Sequence, residues 1–129
     1  MNIDKLTEIA EWLEAGAPER KGVTGFDMET FLSDKGCGTA CCIAGAVVQF
    51  DRKAPYRTAD EAIGAGIDPG NDAAGILDIE EDMADELFYA RGEDLDRVDS
   101  AWAARCVRKL IETGRVDWRG TYVPLPLQP

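Results

Sequence analysis

The chain has 129 residues, 45% of them hydrophobic and 30% charged, which is typical of one soluble globular domain rather than of a disordered or fibrous chain. It contains no histidine, so no Ser-His-Asp or Cys-His catalytic unit can form from its own residues. Its net charge of −11 disfavours direct binding to nucleic acid, because such binding depends on Lys and Arg to neutralise phosphates.

Apolar residues recur at helical spacing over residues 3–15, with acidic residues between them, and predict an amphipathic first helix. Asn2 or Asp4 is expected to cap its start, and Gly16 its end. The connection that follows is rich in glycine and charge. Residues 23–32 within it are compatible with one short strand or hairpin, or with a single helical turn.

A second helix is predicted from Ala40 to Phe50, with Thr39 as its N-cap. Only Gln49 in this stretch is strongly polar, so the helix is expected to lie in the middle of a helical bundle. Small residues such as Gly45 would let neighbouring helices approach it closely.

Four further helices are predicted from capping residues and apolar spacing. The first is a short helix that Thr58 caps and that ends near Ala65, and the second is a short helix that starts at Asn71 or Asp72. The third lies within residues 79–92 and stops at Gly92. The last covers about residues 100–113 and ends at Gly114. The predicted fold is therefore mainly α: a single compact bundle of five or six helices over residues 1–118, followed by an extended proline-rich tail over residues 119–129.

The negative charge is concentrated in one central segment. Residues 60–99 hold 14 acidic and 2 basic residues, a balance of −12, whereas the other 89 residues hold 11 acidic and 12 basic residues, a balance of +1. Such a surface attracts basic proteins or cations. The segment has no EF-hand loop pattern, which argues against that kind of calcium site.

Two interpretations of this acidic segment follow. It could bind a basic protein surface, and the candidate residues are then Asp78, Glu80, Glu81 and Asp85. It could instead be the solvated face of a helix, with some of its acids paired with basic residues of the last helix, namely Arg105, Arg108 and Lys109.

The cysteines also allow more than one interpretation. Cys41, Cys42 and Cys106 are expected to act as small hydrophobic residues in helix contacts. A metal site would need Cys37, Cys41 and Cys106 with a carboxylate, and the spacing lacks a Cys-x-x-Cys pair. Adjacent helical residues also point about 100 degrees apart, which argues against chelation by Cys41 and Cys42. No metal and no cofactor are predicted.

Cys37 differs from the other cysteines because Gly36 and Gly38 flank it just before the predicted second helix. A helix N-terminus lowers the pKa of a thiol, so Cys37, Gly38 and Thr39 are candidates for a reactive thiol or a pocket. The plainer interpretation is a tight turn in which glycine supplies an unusual dihedral angle.

Four motifs follow one another along the chain: FDM (residues 26–28), CGTACCIAG (37–45), ILDIEEDMADELF (76–88) and LIETGRVDW (110–118). This succession resembles a family of small uncharacterised proteins of bacteriophages and actinobacteria. Members of that family carry a Cys-Gly-Thr-x-x-Cys-x-Ala-Gly box, a Leu-Phe helix and a Thr-Gly-x-Val-Asp-Trp-like end. The chain departs from the pattern at Ala46, where a bulkier His or Trp is expected. The resemblance implies a phage or bacterial origin and no mechanism.

The leading functional hypothesis is a non-catalytic acidic interaction protein, such as a phage-encoded modulator that binds a basic host protein. One alternative is a protein that sequesters a small molecule or nucleotide in a pocket lined by Trp12, Trp102 and the CGT turn. Another is a thiol or metal site in the CGTACC segment. The absence of a basic and apolar leader, and of an apolar run long enough for a bilayer, predicts a cytoplasmic protein in a bacterial or phage-infected cell. A homodimer through the C-terminal tail is also possible.

Overall fold

The computed structural model describes residues 1–34, 39–52, 56, 58–90 and 93–123, with residues 33, 34 and 39 described by their backbone. The predicted mainly α fold is confirmed. The described part of the chain holds six α-helices: α1 (Ile3–Glu14), α2 (Ile43–Phe50), α3 (Ala59–Gly64), α4 (Pro69–Leu77), α5 (Glu81–Tyr89) and α6 (Ser100–Thr113). A short 3-10 helix, Leu95–Arg97, precedes α6. Among the described residues, none of the helices is both long and apolar enough to cross a membrane.

The first and last helices pack along each other. The predicted cap of α1 is confirmed, since the backbone N–H of Lys5 donates to Asn2 Oδ1 at 3.1 Å. At the end of α6, Gly114 adopts a left-handed conformation with φ +74°, which explains why glycine closes this helix. Both helices bury a continuous apolar face, comprising Leu6, Ile9, Ala10, Trp12 and Leu13 in α1 and Trp102, Ala103, Ala104, Cys106, Val107 and Leu110 in α6.

A small three-stranded sheet lies between α1 and α2 in the sequence. Its strands are β1 (Val23–Phe26), β2 (Leu32–Asp34) and β3 (Thr39–Cys41), and the central strand β3 runs parallel to β1 and antiparallel to β2. Of the alternatives left open for residues 23–32, the short strand is confirmed by β1. A hairpin is not formed there, because β1 and β2 each pair with β3 and not with each other.

The predicted start of the second helix is wrong. Residues 39–41 form strand β3, so Thr39 is not an N-cap, and α2 begins at Ile43 after Cys42. The pairing partners of β3 are distant in sequence, and a short apolar run does not by itself distinguish a buried strand from a helix. Beyond the ladder, the carbonyl of Cys41 accepts from the N–H of Asp27 at 2.9 Å, and the N–H of Cys42 donates to Thr30 O at 2.8 Å.

The position of α2 in the middle of the molecule is confirmed. Every residue of α2 is buried, and the helix contacts α1, α4, α5 and the sheet. Both polar atoms of the buried Gln49 side chain are hydrogen-bonded: its Nε2 donates to Tyr56 O at 2.6 Å, and its Oε1 accepts from Tyr56 N at 2.9 Å. Because both polar ends have partners, the amide stabilises the return of the chain after α2.

The boundaries of two later helices differ from the prediction. Helix α4 begins at Pro69 after Asp68, two or three residues before the expected start, because proline is well suited to the first turn of a helix. Helix α5 ends at Tyr89, and Ala90 takes the left-handed conformation with φ +45°. Gly92, the predicted stop, lies outside the described residues. Thr58 caps α3 as predicted, accepting from Glu61 N at 3.1 Å.

The segment after α6 folds back across the helices. Trp118 is buried, its Nε1 donates to Glu86 O of α5 at 2.8 Å, and its carbonyl accepts from Trp102 Nε1 at 2.7 Å. Residues 118–121 form a turn in which Thr121 is buried. Residues 119–121 of the predicted tail thus belong to a turn and are not extended. An extended conformation of residues 124–129, which lie outside the described part, and a role of the tail in a dimer stay predictions.

Candidate functional site

The four candidate partner-binding residues lie together where α4 ends and α5 begins. Asp78 follows the last residue of α4, Glu80 is the N-cap of α5, and Glu81 and Asp85 lie in the first half of α5. We call this group, Asp78, Glu80, Glu81 and Asp85, the acidic surface.

Asp78 is held by the start of the chain. Its carboxylate is 3.2 Å from the amino group of Met1, and 84% of its side chain is exposed. Its backbone is left-handed, with φ +54°, which ends α4 and turns the chain toward α5. The N–H of Asn2 also donates to Leu77 O at 2.7 Å, so the start of α1 and the end of α4 are joined beside the acidic surface.

Glu80 and Glu81 are exposed at the N-terminus of α5. Their charges there are favourable, because the helix dipole places partial positive charge at this end. The ion pairs between described residues do not include either side chain. Asp85 is half-buried and interacts with other residues. Asp78, Glu80 and Glu81 are therefore the exposed carboxylates of the acidic surface, and Glu80 and Glu81 form no ion pair with another described residue.

The basic residues of α6 do not pair with α5, so that expectation is wrong. Arg108 forms a bidentate ion pair with Glu14 of α1: its Nε donates to Glu14 Oε2 at 3.0 Å, and its Nη2 donates to Glu14 Oε1 at 2.8 Å. The hydrogen bond from Arg108 lowers the pKa of the Glu14 carboxyl. Lys109 lies 3.6 Å from Asp117, and Arg105 Nε donates to Thr121 O at 2.8 Å. Because α6 packs along α1, its basic side chains reach α1 and the C-terminal segment.

The thiol candidates are only partly described. Cys37 and Gly38 lie outside the described residues, and the backbone of Thr39 belongs to β3. Cys41, Cys42 and Cys106 are free thiols, and their predicted burial is confirmed. The prediction that all three lie in helices is wrong, because Cys41 belongs to β3 and Cys42 precedes α2. Burial raises the pKa of Cys41 and Cys42 and raises that of Cys106 to about 12. No three described cysteine or carboxylate side chains are placed to hold a metal ion together.

We expect Cys41 and Cys106 to resist thiol reagents in the folded protein. Their raised pKa keeps them protonated at about pH 8, and the thiolate is the reactive form. In a Cys37→Ser variant treated with 5,5′-dithiobis(2-nitrobenzoate), both should react only as fast as the protein unfolds, and immediately in guanidinium. Mass mapping of the labelled peptides identifies each thiol. Rapid labelling of either one in the native protein would contradict the buried placement.

The two tryptophans of the hypothetical ligand pocket lie in separate aromatic clusters. Trp12 packs edge-to-face on Phe50, with ring centroids 5.1 Å apart, and also contacts Phe26. Trp102 packs on Trp118 and Tyr122, with centroids 5.8 and 4.9 Å away. A polar cavity of about 270 Å³ borders Trp102; its other lining residues include Arg97, Arg119 and Tyr122. The sequence interpretation named none of those three as pocket residues. The fold of the C-terminal segment brings Arg119 and Tyr122 to Trp102, and the 3-10 helix before α6 supplies Arg97.

Comparisons with protein-family models, with curated proteins and with solved structures give no match to this chain. The resemblance to phage and actinobacterial proteins therefore stays a prediction.

Proposed function

We propose that the protein is a non-catalytic interaction protein that binds a basic protein surface through the acidic surface. The observation that carries this proposal is the location of the charge. Residues 60–99 hold a balance of −12, and three of the four carboxylates of the acidic surface are exposed at one helix junction. Such a concentration of one sign of charge attracts an oppositely charged partner over distances of about a Debye length, roughly 8 Å at physiological salt.

The way the junction is anchored supports the proposal. The start of α1 is bonded to the end of α4 through Asn2 N and Leu77 O. Trp118 is bonded to Glu86 O in the last turn of α5. The backbone that carries the carboxylates is thus held at both ends before any partner arrives. Binding through a preorganised surface loses less conformational entropy than binding through a segment that must first become ordered.

The partner expected for this surface carries several lysine or arginine side chains on one face. Exposed charges at the edge of an interface act mainly on the association rate and on partner choice. Their contribution to the affinity decreases as salt concentration rises. The cellular setting that we propose is the cytoplasm of a bacterium or of a phage-infected host, where the protein would modulate a host protein.

The test compares two charge-reversed variants of equal net charge. In the first, Glu80→Lys and Glu81→Lys reverse the acidic surface; in the control, Glu11→Lys and Glu112→Lys reverse two exposed acids on α1 and α6. Proteins captured from a bacterial lysate by the wild-type chain are purified, and their affinity for each variant is measured by titration at two salt concentrations.

We expect the first variant to bind a captured basic protein about tenfold more weakly or worse, and the control to bind like wild type. The wild-type affinity should also fall as salt is raised. Equal affinities for wild type and the Glu80/Glu81 variant, or equal losses in both variants, would contradict the proposal.

A further inference from the structure

A small crevice, separate from the acidic surface, lies on the side of the molecule where the sheet meets α2 and α5. It has a volume of about 140 Å³. Its walls come from the β1–β2 connection, the start of α2, the start of α4, the end of α5 and the 3-10 helix. The crevice therefore brings together five parts of the chain that span residues 28–95.

The crevice is lined mainly by apolar groups. Its inner lining includes Met28, Cys42, Ala44 and Phe88, which are all buried, and the partly buried Phe31 and Leu95 complete the apolar surface. Two of the lining residues, Met28 and Cys42, carry sulfur, and two others, Phe31 and Phe88, carry phenyl rings. Methionine and cysteine sulfur make favourable contacts with aromatic rings, usually at about 5 Å.

Close backbone contacts hold the wall formed by the β1–β2 connection. The N–H of Cys42 donates to Thr30 O at 2.8 Å, which ties this connection to the start of α2. At Gly45, a Cβ would overlap the carbonyl oxygen of Phe31, so only glycine allows this approach. The backbone of this wall is therefore held in place against the start of α2.

The outer edge of the crevice is lined by Gly70 of α4 and Tyr89 of α5. The tyrosine is 56% exposed, and its hydroxyl would lie 3.6 Å from a Cβ at position 70. The absence of a side chain at Gly70 thus leaves space beside the tyrosine ring. A large side chain at that position would narrow the opening of the crevice.

We infer that this crevice binds one small, uncharged, single-ring aromatic molecule. An enclosed, engineered apolar cavity of about 150 Å³ binds benzene. This crevice has nearly the same volume and opens to solvent beside Tyr89, which gives the guest a way in. Its rings and sulfur atoms provide contacts that favour an aromatic guest over water. A charged ring such as benzoate is disfavoured, because its carboxylate would lose hydration among apolar groups and lie near Glu29.

Methionine methyl groups provide a direct readout of binding. The chain has three methionines: Met28 lines the crevice, whereas Met1 and Met83 do not. Protein labelled with ¹³C at the methionine methyl groups is titrated with benzene and, separately, with benzoate, and methyl chemical shifts are recorded. We expect the Met28 signal alone to shift and to saturate, with half-saturation on the order of 1 mM for a ligand of six heavy atoms. Benzoate should leave it in place.

Two leucine substitutions in α4 provide the matched comparison. Gly70→Leu fills the edge of the crevice, whereas Gly75→Leu places the same side chain at an exposed position with nothing within 4 Å. Gly70→Leu should weaken benzene binding at least tenfold, and Gly75→Leu should bind like wild type. Methyl spectra of both variants without ligand show whether they are folded.

Three outcomes would each overturn the inference. All three methyl signals could drift without saturating, benzene and benzoate could give equal responses, or folded Gly70→Leu could bind benzene like wild type. These outcomes do not bear on the acidic surface, which is on different residues and is tested with a protein partner.

Discussion

Replacing Trp118 with alanine is expected to lower the free energy of unfolding by about 3–5 kcal/mol, the usual range for removal of a large buried aromatic side chain. The ring is only 5% exposed and packs edge-to-face on Trp102, with centroids 5.8 Å apart. Its N–H is also bonded to Glu86 O at 2.8 Å. The substitution thus leaves a cavity between α5 and α6 and an unpaired carbonyl. Guanidinium unfolding followed by circular dichroism measures the change.

Trp118→Phe is the matched control, because it keeps an aromatic ring and removes the indole N–H. We expect it to lower the free energy of unfolding by about 1–2 kcal/mol, which combines one lost hydrogen bond with a small loss of packing. If alanine and phenylalanine were equally destabilising, the hydrogen bond to Glu86 would matter more than the packing. A loss below about 1 kcal/mol for alanine would contradict the buried position of this residue.

Gly45→Ala is expected to destabilise the protein by about 1–3 kcal/mol or more, although alanine is normally the better helix former. A Cβ at this position would overlap the carbonyl oxygen of Phe31 and lie 2.7 Å from the Cβ of Cys41. Neither atom can move away by a change of rotamer, because one belongs to the backbone and the other is attached to it. The β1–β2 connection would have to separate from α2, and urea unfolding would report the loss.

Gly75→Ala supplies the opposite expectation within the same protein. Gly75 is exposed in α4, and a Cβ there would meet nothing within 4 Å. Alanine should therefore stabilise the protein by about 0.5–1 kcal/mol, since it restricts the unfolded chain and favours the helix. Equal effects at positions 45 and 75 would show that the close approach of Phe31 does not determine the requirement for glycine.

The helices at the two ends of the chain could be predicted closely because their signals are local. The N-cap Asn2 lies next to the helix that it starts, and Gly114 directly follows the helix that it ends. Their apolar spacing also identifies the faces that become buried. For α2 the same kind of pattern places the helix in the core correctly but begins it at Ala40, three positions before Ile43. The residues before Ile43 pair with two other strands, and nothing in their spacing reveals those partners.

The candidate site also has one part that the sequence predicts and one part that it does not. The concentration of acidic residues in one segment is a property of the sequence, and the exposure of Glu80 and Glu81 agrees with their polar positions on an amphipathic helix. The partners of the basic residues in α6 could not be predicted. Arg108 pairs with Glu14, which is 94 positions away, because α6 packs along α1.

Composition and short-range spacing therefore determined the helical class, most helix ends, the burial of three thiols and the segment that carries the charge. These properties depend on residues within about one or two helical turns of each other. The tertiary structure decided the strand at residues 39–41, the ion pairs of α6 and the crevice beside Cys42. Each of these joins elements far apart in the chain, and their pairing depends on how whole faces pack, which no short stretch of sequence contains.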